Sequence, residues 1–342
     1  KRYNWELVFC ELYAGGKYSN NTGENYEFAL GLNGLGACAT QYSSEFMDVT
    51  VFRDGYKYEL HFERGINIGG LTKTKFNAEY TGTIQTWKPD REVFTDIRIP
   101  AEFFRDTLKK QAVVNAGLVF EFTDEESGTT ETFLYENGIV DYVQELNGDR
   151  GITAPRFFEG AARGRDRDDK PEYRVKMQIA FCFNNEINTI QYYHNSSWLE
   201  YGGAPDKAVK AALSAFVNEL DKYLKNNGKY NKTESKITFT DIEDSLILIT
   251  NTFSTMTSYE NQTKKAISNK FIQEAITDFL KQQLEIYLIE NKEEAEKIAA
   301  QVLVNKRSRE SAEKARIDVK KKLGGSMDIS ARVKKFVDCR SK

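Results

Sequence analysis

Gly31-Leu32-Asn33-Gly34-Leu35-Gly36, followed without a break by Ala37-Cys38-Ala39-Thr40-Gln41-Tyr42, is the stretch on which the reading of this chain turns. Glycine lets a backbone amide approach an anion closely, and a helix start adds partial positive charge to whatever anion it faces. A glycine turn leading into a helix over Ala37 to Phe46 is therefore a candidate phosphate cradle made by Gly31, Leu32, Asn33, Gly34, Leu35 and Gly36. Taken alone, such a turn is more often plain structure. Upstream lies a second glycine pair, Ala14-Gly15-Gly16-Lys17, and the polar interval Tyr18 to Glu27 between the two reads either as a flap hinged at both ends or as a surface loop.

Downstream, Met47 to Glu63 alternates apolar and polar residues on both sides of Asp54-Gly55, the dipeptide of a two-residue type I′ turn, and predicts a β-hairpin. Thr81-Gly82-Thr83 offers hydroxyls to a base, though threonines in a strand need no such role. Pro100 opens a helix with Phe103, Phe104 and Leu108 on one face. A second hairpin is expected at Ser127-Gly128. From Asn147 to Pro171, the run Arg163-Gly164-Arg165-Asp166-Arg167-Asp168-Asp169-Lys170 mixes charges with no apolar period, and the interval reads as an exposed linker or loop. Strands follow at Tyr173 to Phe183 and Ile187 to Tyr193, then a helix from about Asp206 to Leu224. Ser268 to Glu290 places Phe271, Ala275, Phe279, Leu280, Leu284, Tyr287 and Leu288 at helical spacing. Asn291 with Glu294 three residues on looks like the capping box of a last helix reaching Leu323. The fold class is α+β, with long helices at the C-terminal end.

Composition excludes more than it selects. A chain of 342 residues, 40% apolar, is long enough for two ordinary domains with separate cores, and the predicted division falls at residues 1–150 and 151–342. The formal net charge of −3 carries no global nucleic-acid signature, so contact with DNA would need a local patch. Cys10, Cys38, Cys182 and Cys339 form no paired motif and only two histidines accompany them, so reduced cytosolic thiols are expected and no metal site. No apolar stretch is long enough to span a bilayer, and a cytoplasmic location is expected. The last helix carries Lys306, Arg307, Arg309, Lys314, Arg316 and Lys320 to Lys322 against Glu310, Glu313 and Asp318, which suits either a solvated helix or a surface facing DNA.

Far from the glycines, Gln262-Thr263-Lys264 sits in a polar stretch before a long helix. Lysine is a flexible point charge suited to a terminal phosphate. Order and spacing give it meaning. Gly15, Gly16 and Lys17, then Tyr26, then the segment Gly31 to Gly36, then Thr81-Gly82-Thr83, and much later Gln262-Thr263-Lys264 resemble the gyrase B and ParE family of type IIA DNA topoisomerases in serial order. Trp87-Lys88-Pro89-Asp90, Tyr135-Glu136-Asn137-Gly138-Ile139, Gly202-Gly203, the stretch Asn305 to Leu323 and the closing Phe336-Val337-Asp338-Cys339 extend the resemblance over the whole chain.

The resemblance implies part of a GHKL-type ATPase α/β sandwich, with its ATP lid, followed by a ribosomal S5-like transducer that ends before a TOPRIM domain. It implies that Gly31 to Gly36 wrap a triphosphate, with Gly15, Gly16 and Lys17 at the lid's start. By the same resemblance Tyr26 lies near the nucleotide, Thr83 near the adenine, and Gln262 and Lys264 at the γ-phosphate. Lys210 stands where relatives carry an arginine lining the cavity through which DNA passes. The implied cofactor is ATP with Mg2+, and the implied partners are DNA, a gyrase A or ParC protein and a second copy of the ATPase region. Whether the parent supercoils or decatenates rests on the gyrase A or ParC partner. Asn33 stands where relatives often have histidine, and Gly202-Gly203-Ala204-Pro205 replaces a commoner Gly-Gly-Thr-His, which suggests a divergent branch. The family's catalytic glutamate, magnesium-binding asparagine and adenine-binding aspartate lie upstream of the Ala14 segment, where only thirteen residues precede it here, so no ATP turnover is expected of this chain alone. Two other classes share features with it: a DNA-binding module using the basic helix and Lys210 without a nucleotide, and a GHKL machine of the MutL or chaperone type.

Overall fold

The computed structural model describes residues 2–14, 28, 31, 33–77 and 79–326, with side chains as far as Leu323. The chain splits into two compact units, one made of Lys1–Lys110, Phe120–Phe133 and Ser254–Met256, the other of Gln111–Val119, Leu134–Phe253 and Thr257–Lys342. The architecture is α+β, as the sequence predicts.

In the first unit, helices α1 (Asn4–Cys10) and α2 (Gly36–Tyr42) precede strands β1 (Ser44–Arg53), β2 (Tyr56–Glu63), β3 (Ile66–Lys75) and β4 (Gly82–Pro89). The four strands form one sheet in the order β3-β2-β1-β4. Asp54 and Gly55, at φ 53° and 73°, close the predicted β1–β2 hairpin with Arg53 opposite Tyr56. Residues facing each other across an antiparallel pair share a face. Met47 and Val49 lie opposite Phe62 and Leu60, and together with Phe9 of α1 these four make the buried core. Helix α2 ends at Tyr42, four residues short of the predicted Phe46. Ser43 Oγ donates to Ala39 O at 2.8 Å and Ser44 Oγ to Thr40 O at 2.6 Å, and these local bonds end the helix so that Ser44 begins β1.

Helix α3 (Ala101–Val114) follows Pro100 as expected, but its phenylalanines do not form the core-facing side. Phe103 is 65% exposed and Phe104 stacks on Phe122, while Ala112, Val113 and Val114 at the far end are buried. Strands β5 (Phe120–Asp124) and β6 (Thr129–Phe133) form the predicted second hairpin.

In the second unit α4 (Ile139–Asn147) leads to β7 (Arg156–Gly164), β8 (Tyr173–Phe183), β9 (Thr189–His194) and β10 (Ser197–Trp198). Helices α5 (Ala204–Asn226) and α6 (Phe239–Glu243), strand β11 (Leu246–Ser254), and helices α7 (Lys270–Glu290) and α8 (Lys292–Ser326) complete it. The five strands are ordered β10-β9-β11-β8-β7, with β9 and β11 parallel and β7 and β8 antiparallel. The expected linker from Asn147 to Pro171 is therefore corrected in part: Arg165 to Pro171 lie outside any strand or helix, while Arg156–Gly164 is an edge strand with alternating burial. Its apolar period is hidden because the inward positions are small. A Cβ on Gly160 would meet the Phe279 ring at 2.5 Å, and one on Gly164 the Phe271 ring at 2.4 Å, so these glycines are the sockets for two phenylalanines of α7.

Aromatic rings tie the layers together. Phe181 of β8 meets Tyr287 of α7 edge-on at 5.3 Å, and Phe183 lies 6.3 Å from Phe216 of α5. The Asn291 capping box does not form. Asn291 caps the end of α7 instead, its amide donating to Tyr287 O at 3.0 Å. Glu294 is drawn to Arg156 at 3.0 Å and to the Tyr287 hydroxyl at 2.5 Å.

Candidate functional site

The glycine segment enters α2 as the sequence suggests. Gly34 takes φ 60°, Leu35 is the N-cap with no side chain capping the helix, and Ala39 N donates to Leu35 O at 2.8 Å. Among the described residues, a Cβ built on Gly31 or Gly36 meets nothing within 4 Å. That open space fits an anion approaching the backbone closely. Cys38 and Gln41 anchor the buried side of α2, and both amide atoms of Gln41 are buried without a hydrogen-bond partner. Leu32, Gly15, Gly16, Lys17 and Tyr26 lie outside the described residues.

Thr83 lies on β4 directly opposite Val51 of β1, and Gln85 opposite Val49. Its exposed hydroxyl therefore shares the sheet face that α1 covers. Val49 and Val51 on that face border an open groove beside α1.

Gln262 and Lys264 belong to the second unit, in the loop between β11 and α7. The loop is tied down by hydrogen bonds to its backbone and by the buried side chains of Ala266 and Ile267. Tyr201 N donates to Lys265 O at 2.9 Å, Ala204 N to Ile267 O at 2.8 Å, and Ser197 Oγ to Lys264 O at 3.1 Å. Glu260 N to Ala266 O at 3.0 Å folds the loop back on itself. Lys264 holds φ 59°, a left-handed conformation that a lysine adopts only where its surroundings impose it. Its ammonium lies 6.0 Å from the centre of the Tyr259 ring, whose hydroxyl is buried without a partner. Gln262 is exposed at the loop's turn.

Both ends of this loop are fixed by residues that sequence reasoning missed. At the entry, buried His194 meets Thr252 Oγ1 at 2.8 Å through Nδ1 and Thr257 Oγ1 at 2.9 Å through Nε2. Burial pushes its pKa down to about 3, so the imidazole is neutral. At the exit, Asn269 Oδ1 accepts from Ser258 N at 2.7 Å while its Nδ2 donates to Asp166 Oδ2 at 2.8 Å, and Asp166 Oδ1 accepts from Phe271 N at 2.9 Å. Asp166 was hidden within the mixed-charge run, where no periodicity distinguishes it from its neighbours.

Lys210 is paired to Asp206 one turn earlier on α5 at 3.0 Å, beside a small polar cavity that Glu243 also lines. The first part of the basic run of α8 is engaged within the protein. Lys306 is fully buried with Nζ 3.1 Å from Glu234, Arg307 holds the same carboxylate through two bonds of 2.9 Å, and Arg309 grips buried Asp241 at 2.7 and 3.1 Å. Neither reading of the helix, solvated or facing DNA, holds for Lys306, while Arg307 and Arg309 are partly exposed although paired. Among the described residues no cluster of three or more histidine, cysteine, aspartate or glutamate side chains is gathered for a metal, and no helix is long and apolar enough to cross a membrane.

A sequence model of the DNA gyrase B family matches residues 138–317, from the start of α4 through most of α8. This chain belongs to the DNA gyrase B family. It is 28% identical over 338 residues to the DNA gyrase B protein of Thermotoga maritima and 30% identical over 345 residues to that of Metamycoplasma arthritidis, each match covering 98% of the chain. The chain spans about half the length of these relatives, 51% and 52% respectively. Its fold is similar to the 43K ATPase domain of Thermus thermophilus gyrase B, solved with an aminocoumarin, with TM-score 0.62 and 25% identity over 83% of this chain and 74% of that one. The ATP-binding domain of Francisella tularensis topoisomerase IV shares the fold with TM-score 0.63 and 22% identity, covering 90% of this chain and 78% of that one. The predicted family and GHKL-type fold thus stand.

Proposed function

We propose that this chain is the ATP-binding and transducer part of a type IIA DNA topoisomerase that couples ATP hydrolysis to the passage of one duplex through another. The segment Gly31 to Gly36 receives the triphosphate, with Gly15, Gly16, Lys17 and Tyr26 in the same lid and Thr83 beside the base. Gln262 and Lys264 contact the terminal phosphate and pass its loss to α7 and α8. Residues 1–150 serve as the ATPase part and 151–342 as the transducer. The cofactor is ATP with Mg2+, and the partners are DNA, a gyrase A or ParC protein and a second copy. The setting is the cytoplasm.

The observation that carries this reading is the Lys264 loop. A lysine forced to φ 59° and tied on both sides by backbone bonds is costly to keep. Fixed backbone also suits a charge that must meet developing negative charge at one place. The DNA-binding module without nucleotide is the weaker alternative, because Lys306, Arg307 and Arg309 are engaged by internal carboxylates.

Two measurements test the proposal. Steady-state ATP hydrolysis by the chain alone is expected at background. In a protein joining this chain to the remaining half of its relatives' length, Lys264→Ala is expected to lower kcat about 100-fold or more with little loss of fold, as removal of one preorganised charge does. Unchanged turnover would take Lys264 out of the site.

A further inference from the structure

A groove of the second unit, set between the far half of α5, the end of α7 and the start of α8, combines an apolar floor with an acidic rim. Its volume is about 440 Å³, within the range of roughly 300–1,000 Å³ usual for small-molecule sites. Leu220 and Tyr223 of α5, Leu288 and Ile289 of α7 and Ala295 of α8 form the floor. Leu220 and Ala295 are buried, whereas Ile289 is 65% exposed. An isoleucine left so open gains little from the fold, and beside Leu288 it holds apolar surface that a ligand would remove from water.

The rim gives that ligand a charge. Glu219, Glu285, Glu293 and Glu296 stand around the floor against the single Lys292. Two of these carboxylates are answered from outside the groove, Glu219 by Lys222 at 2.7 Å and Glu296 by Lys229 at 3.7 Å. Among the described residues, Glu285 and Glu293 make no hydrogen bond or ion pair. Helical spacing puts Glu285 one turn before Ile289 on α7 and Glu219 one turn before Tyr223 on α5, so each carboxylate adjoins a floor residue. Their fields overlap: the Lys222 ammonium is held above its ordinary range by Glu219 foremost, and Glu285 on α7 adds to it. Surplus negative charge repels phosphates and carboxylates, and the apolar floor gives a bare hydrophilic ion nothing to bury. A molecule with an apolar body and one positive charge satisfies both, and its cation also gains from the face of the Tyr223 ring.

We propose that this groove is a binding site for a small lipophilic amine, an apolar ring system carrying a single protonated nitrogen. Its body lies along Tyr223, Leu288 and Ile289, and its nitrogen is held by Glu285 and Glu293. The site lies within the second unit alone and does not depend on the roles of Gly31 to Gly36 or of Lys264.

The test is an NMR titration of the whole chain, labelled at isoleucine, leucine and alanine methyls, with 2-(1-naphthyl)ethylamine, which is protonated at neutral pH. The uncharged 2-(1-naphthyl)ethanol and the anionic 1-naphthylacetate serve as counterparts, and near-ultraviolet circular dichroism establishes that every variant is folded. Saturable shifts are expected at Leu220, Leu288, Ile289 and Ala295, with the amine bound about tenfold more tightly than the alcohol, the size of one charged hydrogen bond, and the acetate weakest. Glu285→Gln with Glu293→Gln, both at exposed helix positions, should remove that preference and leave the alcohol unchanged. Ile289→Ser should weaken amine and alcohol alike several-fold. Equal affinity for amine and alcohol, a preference that survives the double variant, or shifts centred elsewhere would each overturn the proposal. An amphipathic leucine-lysine peptide that binds more tightly than the amine, and shifts methyls along α7 well beyond the groove, would make it a protein-docking face and overturn the proposal as well.

Discussion

Helix α8 contains two basic stretches of similar composition with opposite fates. In the first, Lys306, Arg307 and Arg309 are matched by Glu234 and Asp241, which arrive from the segment between α5 and β11. In the second, Lys314, Lys320, Lys321 and Lys322 lie on a run of helix that is exposed at every described position. What separates them is distant in sequence. Counting charges along a helix therefore says nothing about which are solvated, because a carboxylate some seventy residues away decides it.

The matched stretch is bound more by ions than by grease. Asp241 caps α6 by accepting from Thr238 N at 2.7 Å while holding Arg309, and Asn305 Nδ2 donates to its carbonyl at 2.9 Å. Asp241→Ala removes the cap and strands a guanidinium together. It is expected to cost about 3–5 kcal/mol, read as a lower urea midpoint at unchanged slope. A loss below about 1 kcal/mol would mean that the apolar contacts of α8 hold it unaided.

Glu234→Gln is expected to cost less, about 2 kcal/mol, since Lys306 keeps Glu310 and Arg307 is half exposed. The same carboxylate gives the comparison a pH signature. The Arg307 guanidinium foremost, and Lys306 with it, hold the Glu234 pKa down at about 2, from an ordinary 4.5. A depressed carboxylate contributes stability that is fully present above its unfolded pKa and lost as pH falls through the folded one. Acid titration of stability between pH 4.5 and 2 should therefore be steeper for the parent than for Glu234→Gln. Parallel curves would place the acid sensitivity elsewhere.

The bare stretch should hardly respond. Replacing Lys320, Lys321 and Lys322 together by glutamate is expected to change stability by no more than about 0.5 kcal/mol. A larger change would show that this end of the helix has a partner within the fold after all.

The elements that were legible in the sequence were those whose signal is local. Asp54-Gly55 needs only its own φ angles, and the stripe from Phe271 to Leu288 needs only its own period. Edge strand β7 was unreadable because its inward residues are sockets rather than plugs, and their meaning lies in Phe271 and Phe279 more than a hundred residues away. Asn291 opens α8 where expected, Ala295 N donating to its carbonyl, but its side chain closes α7 instead of capping α8. The glycine segment ahead of α2 and the Lys264 loop stand out in the sequence by type and order. His194, Asp166 and Asn269, which fix that loop, could not be found so, because a buried histidine and a loop aspartate look the same with or without a partner.

Gly203 gives the second unit one further property. A Cβ there would fall 2.3 Å from Ile267 O, in the middle of the backbone ladder that carries the Lys264 loop. The first turn of α5 and the loop are consequently one mechanical part, and neither can be redesigned or drift in evolution without the other. An alanine scan that finds Gly203 intolerant would be detecting the loop's seat together with the left-handed φ of 79° at which Gly203 opens the helix.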